Sequence, residues 1–191
     1  LALLGLSGMA AFQIFFVVGL KETTASNASV VVSTSPIFAA ITAALARVEN
    51  LRWRTIAGIV LAFAGIALVA QREGLNLGAE SGLLGDIFCL LAALGWGIFV
   101  AVQTPLFKRY SPLKVTTYAS IFGSVFILPF TGSDLLGENW GAVSPAGWGL
   151  TIYYVIMSGF VATVLWSRGV RDWGPTKTSV YSYLNPIFGI L

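Results

Sequence analysis

The chain has 191 residues, of which 57% are hydrophobic and 10% charged, with a net charge of +3 and a mean hydropathy of +0.84. Soluble domains carry about 25% charged residues, so this composition excludes an ordinary water-soluble fold. One Cys and no His exclude disulfides, Cys/His zinc sites and His-based catalysis within this stretch. The Lys and Arg residues lie in separate short connectors, not in the basic stripe that a nucleic-acid partner requires.

Seven apolar stretches follow one another along the chain, over residues 1–20, 27–46, 55–70, 84–107, 115–131, 147–167 and 176–191. A spanning helix needs about 20 predominantly apolar residues. Every Lys, Arg, Asp and Glu falls in a connector or at a stretch end. A charge at the bilayer centre costs about 2.5–3.5 kcal/mol on insertion scales. The pattern predicts an all-α, polytopic membrane protein, with the lipid bilayer as its first partner. The first stretch lacks the basic start and small-residue cleavage site of a signal peptide. Both ends of the chain fall inside apolar runs, which reads as a piece of a longer membrane protein.

Loop charge sets the orientation. Arg47, Arg52 and Arg54, then Lys108, Arg109 and Lys114, then Arg168, Arg171 and Lys177 occupy alternate connectors. The intervening connectors hold only Lys21 and Arg72, beside Glu22, Glu73, Glu80, Asp86, Asp134 and Glu138. The basic loops are expected in the cytoplasm.

The chain repeats itself at an offset of 150. Gly19-Leu20-Lys21-Glu22 aligns with Gly169-Val170-Arg171-Asp172, Ser29-Val30 with Ser179-Val180, and Pro36-Ile37-Phe38 with Pro186-Ile187-Phe188. Ser26 meets Thr176 and Ser35 meets Asn185 without a gap. Five predicted helices separate the copies, and five is odd, so the second copy is expected to face the opposite way across the membrane. Inverted repeats are a recurring architecture of secondary transporters, with substrate held near the midplane.

Candidate functional residues are the few polar or amphipathic side chains well inside the spans. Pro36 and Pro186 fall mid-span and are expected to kink their helices, freeing a carbonyl about four residues earlier. A packed kink and an opened midplane pocket are both compatible with them. Ser35 and Asn185 stand next to these prolines. Thr178, Tyr181 and Asn185 share one helical face. Trp96 and Gln103 lie on one stripe, Gln13 shares a face with Met9 and Phe16, and Thr163 shares one with Trp166. Substrate is expected to touch Gln13, Ser35, Trp96, Gln103, Thr163, Trp166, Thr178, Tyr181 and Asn185, since aromatic walls with a few amides and hydroxyls suit a small amphipathic solute. Trp53, Trp140, Trp148 and Trp173 lie near span ends, where an interfacial belt accounts for them. Ala93, Gly97 and Ala101, and Gly58, Ala62 and Gly65, form small-residue faces suited to close helix packing. Cys89 reads as a buried thiol, and Asp86 as a helix-capping residue at the start of its span. No metal or cofactor is expected.

Thr24-Ala25-Ser26-Asn27-Ala28-Ser29, Ser35-Pro36-Ile37-Phe38, Glu49 and Ile56-Ala57-Gly58-Ile59-Val60-Leu61-Ala62-Phe63-Ala64-Gly65 together resemble the second half of an EamA domain of the drug/metabolite transporter superfamily. Gly85-Asp86 and Leu90-Leu91-Ala92-Ala93-Leu94-Gly95-Trp96-Gly97 resemble the start of a second such domain. The second copy departs from the pattern at Trp173-Gly174-Pro175 and at Lys177. The resemblance implies ten helices in two inverted five-helix repeats, about seven of which fall in this chain. Residues 1–70 would be the end of the first repeat, 71–83 an extracytoplasmic linker and 84–191 most of the second. It also implies efflux of an amino acid or drug-like solute by a multi-pass permease of the cytoplasmic (inner) membrane. A small solute and a second copy of the chain complete the expected partners. A non-transporting scaffold or sensor and an intramembrane enzyme are the competing readings. The enzyme would need a nucleophile, base or metal at membrane depth, which these residues do not supply.

Overall fold

A computed structural model describes residues 2–72 and 82–184. All regular structure among them is helical. Helix α1 is Ala2–Glu22, and α2 (Ala25–Val32) and α3 (Ser35–Leu45) follow with a two-residue break. Then come α4 (Trp53–Arg72), α5 (Leu83–Leu106), α6 (Pro112–Gly137) and α7 (Pro145–Trp173). The last among the described residues is α8 (Pro175–Ser179), which tightens into a 3₁₀ turn over Val180–Leu184. Among the described residues, five stretches are long and apolar enough to cross a membrane: Ala2–Glu22, Asn27–Leu45, Leu83–Leu106, Pro112–Gly132 and Pro145–Trp173. The protein is therefore an all-α, multi-pass membrane protein.

The expected span over 27–46 is two helices. Ser33 and Thr34 donate their hydroxyls to the carbonyls of Ser29 and Val31, both at 2.7 Å, and such local bonds compete with the helical ladder. Pro36, without an N–H, then sits in the first turn of α3, where a missing donor has no consequence. It starts a helix and does not kink the interior of one. Residues 176–191 were expected as one span; α8 and its 3₁₀ turn cover the described part. Asn185 and Pro186 lie outside the described residues.

Two departures from α geometry recur at the offset of 150. The ladder widens to a π turn over Gly5–Ala11 in α1 and over Val155–Ala162 in α7. Helix α1 ends at Glu22 and α7 at Trp173, while α2 starts at Ala25 and α8 at Pro175.

Helix α5 is the axis of the packing. Leu4, Ala39, Phe99, Val100, Val115, Ala119 and Val170 form one fully buried cluster around it. Small residues permit the approach. A methyl group added at Gly97 would lie 2.7 Å from the backbone of Phe38 in α3, and the Thr42 hydroxyl donates to the Gly97 carbonyl at 2.8 Å. Ala93 and Ala101 on the same stripe are buried as well. Cys89 is free and buried beside Gly19. On the other small-residue face, a methyl group added at Gly58 or Gly65 would meet nothing within 4 Å among the described residues, while Ala62 packs against a smaller cluster. That cluster joins Ala40, Ile59 and Tyr183, where the Tyr183 hydroxyl donates to the Ile59 carbonyl at 3.3 Å.

Contacts along α5 give the direction of its neighbours. Gly19, late in α1, meets Gly85 and Cys89 early in α5, and Gly8 meets Phe99 further along. Ser167, late in α7, donates to Gln103 near the other end of α5, and Val170 shares its cluster with Leu4 at the start of α1. Helices α1 and α7 therefore run in opposite directions. Their ends are fastened at Asp86 and Gln103, which at 1.5 Å rise per residue stand roughly 25 Å apart.

A side chain at Gly8 would collide with the Phe99 ring, whereas one at Gly58 would meet open space. Gly8→Val should cost about 1–3 kcal/mol through overpacking and lower the apparent Tm of the detergent-solubilised protein. Gly58→Val should leave that Tm in place.

Candidate functional site

A cavity of about 460 Å³ opens between α1, the α2–α3 break, α5, α7 and the turn after α8. Its size falls in the ordinary range for small-molecule sites. All walls but α5, which contributes Trp96 from regular helix, reach it partly through a departure from α geometry. Gly8 and Met9 come from the first π turn, and Ser158, Gly159 and Ala162 from the second. Val32 and Ser35 flank the break between α2 and α3, and Tyr181 and Ser182 lie in the 3₁₀ turn after α8. π turns commonly mark functional positions in helices. Here the wider turn leaves the Ser158 carbonyl to accept from the Thr163 hydroxyl five residues later, at 3.3 Å.

Trp96 forms the floor. Its ring lies 5.3 Å from that of Phe12, 5.1 Å from Phe99 and 5.7 Å from Trp166, in tilted arrangements that aromatic quadrupoles favour. The remaining polar groups are the Gln13 amide and the hydroxyls of Ser35, Tyr154, Ser158, Thr163, Tyr181 and Ser182. Among the described residues, no Asp, Glu, Lys or Arg lines the cavity. Among the described residues no group of His, Cys, Asp and Glu is placed to hold a metal ion.

Of the residues singled out in the sequence, Gln13, Ser35, Trp96, Thr163, Trp166 and Tyr181 come together on this lining. Gln103 and Thr178 do not. Gln103 is fully buried, and its carbonyl accepts from Ser167 at 3.3 Å; Ser167 in turn accepts from Thr116 at 3.1 Å. Sharing a helical stripe with Trp96 was insufficient, because the residues are two turns apart and α7 closes over the second. Thr178 donates to the Gly174 carbonyl at 2.9 Å and packs against Gly169, so its hydroxyl serves the turn. Asn185 lies outside the described residues.

The sequence reading missed Gly8, Met9, Phe12, Val32, Tyr154, Ser158, Gly159, Ala162 and Ser182 as lining. The repeat carried the signal. Gly8 and Ser158, Met9 and Gly159, Phe12 and Ala162, Gln13 and Thr163, and Val32 and Ser182 are pairs 150 positions apart, and both members of each pair line the cavity. Composition could not single them out, because most are small or apolar residues indistinguishable from lipid-facing ones.

Residues 1–71 and 83–191 match the EamA-like transporter family. The chain is 28% identical to an uncharacterized transporter of Archaeoglobus fulgidus, over 98% of this chain and 64% of that protein. It is 27% identical to the uncharacterized transporter YyaM of Bacillus subtilis, over 96% of this chain and 61% of that protein. It is also 28% identical to a Streptantibioticus cattleyicolor protein named "Probable terminal-alkyne amino-acid exporter", over 97% of this chain and 61% of the exporter. The chain thus spans about three fifths of the length of these curated relatives. No solved structure matches it. With its span pattern, its helical architecture and a family match that covers nearly its whole length, the chain belongs to the EamA-like transporter family.

Proposed function

We propose that the full-length protein is a secondary transporter of the inner membrane that moves a small amphipathic, amino-acid-like solute by alternating access between two inverted repeats. In this reading residues 1–70 end the first repeat, 71–83 link the two and 84–191 begin the second. One observation carries it: five pairs of lining residues lie 150 positions apart, four of them on helices α1 and α7, which run in opposite directions. A seam between two inverted copies is where such transporters hold their cargo.

The lining argues for the solute class. A net charge taken out of water without a counter-charge is strongly disfavoured, and no charged residue lines the cavity among the described residues. A neutral or zwitterionic solute fits. The break between α2 and α3 puts the start of α3 beside Ser35 at the cavity wall. A helix N-terminus carries partial positive charge, which favours a carboxylate. Hydroxyls of Ser158, Thr163 and Ser182 on the same lining serve as acceptors for an amine, and the Phe12, Trp96 and Trp166 rings receive an apolar side chain. Outward movement is supported by the name of the S. cattleyicolor relative.

Vesicles reconstituted with the full-length protein should exchange labelled neutral amino acids with large side chains; movement of no solute under any ion gradient would remove the proposal. Trp96→Ala should raise KM about tenfold, a loss on the scale of one buried aromatic contact. Trp53→Ala, at an exposed ring on α4, should leave KM where it was. The inversion has its own check. Impermeant thiol reagents should reach Lys21→Cys and Arg171→Cys from opposite sides of the membrane, and labelling of both from one side would refute the opposed copies.

A further inference from the structure

The two copies differ in how they begin their second helix. In the first copy the Thr24 hydroxyl accepts from the Asn27 N–H at 3.2 Å, so α2 is capped by its own neighbour in sequence. In the second copy the position equivalent to Thr24 is Gly174, at φ +92°, which has no side chain to cap with. The cap comes from elsewhere. The Glu49 carboxylate, in the loop after α3, accepts the Thr176 N–H at 3.1 Å across a separation of 127 residues. A carboxylate at this position meets both the free N–H groups and the positive end of the helix.

Two further observations bear on this contact. The hydroxyls of Thr176 and Ser179, on one face of α8, are fully buried and have no hydrogen-bond partner. A packing that leaves two buried hydroxyls unsatisfied is disfavoured and is relieved as soon as water reaches them. At the opposite end of α5, the Thr23 hydroxyl donates to Asp86 at 2.8 Å. Each copy's turn is therefore fastened by a carboxylate from the other copy, but only α8 depends on that carboxylate for its cap.

The geometry points to Glu49 as a detachable cap: its carboxylate holds the first turn of α8 and closes the Arg168–Lys177 end of the pathway, and it releases α8 when that end opens. This rests on the transporter reading above. Glu49 is a positioning residue in this scheme and touches no solute. On release, the hydroxyls of Thr176 and Ser179 gain water, and Gly174 supplies the backbone freedom for the turn to swing. On the opposite face, loss of the Asp86 contact leaves α2 capped by Thr24, so the two ends open with different costs.

The test uses the full-length protein in membrane vesicles, with Cys89→Ser as background and Ser179→Cys as reporter. An impermeant maleimide is applied from the Arg168–Lys177 side. Glu49→Ala should speed labelling about tenfold, and Glu49→Gln by a smaller factor, because an amide still accepts a hydrogen bond but without the charge. Labelling of Lys21→Cys from the other side serves as the check on correct insertion and should not change. If Glu49→Ala does not fold, Glu49→Gln decides alone. Labelling at the parental rate in the folded variants overturns the cap. The readout needs no solute, so faster labelling without transport of any solute would support the cap while removing the transporter reading. Intact transport with unchanged labelling would do the reverse.

Discussion

A backbone amide in hydrocarbon has no water to turn to. Every interruption of a helix must therefore find its hydrogen bonds inside the protein or face a wet space. This constraint governs where the chain departs from α geometry. The break between α2 and α3 is satisfied by hydroxyls of Ser33 and Thr34, the π turn of α7 by Thr163, and the start of α8 by Glu49. Three of the interruptions, the two π turns and the α2–α3 break, border the same cavity. Several places where the backbone is expensive to bury are places that bring polar groups to the cavity wall.

The rest of the bundle is arranged to make those interruptions meet. Apolar side chains gain little from leaving lipid for protein, so association relies on close packing and a few interhelical hydrogen bonds. Helix α5 provides both. Gly85, Gly95 and Gly97 let α1 and α3 approach its backbone, and Thr42, Ser167 and Thr116 tie the neighbours together. Around this axis the long helices α1 and α7 lie antiparallel, and the π turns of both border one cavity.

The spans were legible because charge is excluded from lipid: most predicted stretches match the helices to within a few residues at each end. Trp96, Ser35, Thr163 and Trp166 could be picked out as aromatic or polar groups far from any interface, and the cavity gathers them. Gln103 met the same criterion and lies elsewhere. Its amide carbonyl accepts from Ser167 in a buried chain that continues to Thr116, partners that are 64 and 13 positions away in sequence, while its amide nitrogen is buried without a partner among the described residues. A kink at Pro36 inside one span was the expectation, whereas the chain breaks between Val32 and Ser35, because proline is the visible mark while the hydroxyls that end α2 precede it. The Glu49 contact had no local signal at all, since its partner is a backbone N–H.

What the amino-acid sequence determined alone is the number of apolar stretches, the separation of charge from them and the offset of 150, because hydrophobicity and self-similarity are properties of residues in order. What only the tertiary structure decided is which polar groups face the cavity and which satisfy one another, because a hydrogen bond depends on distance between helices and not on position along one.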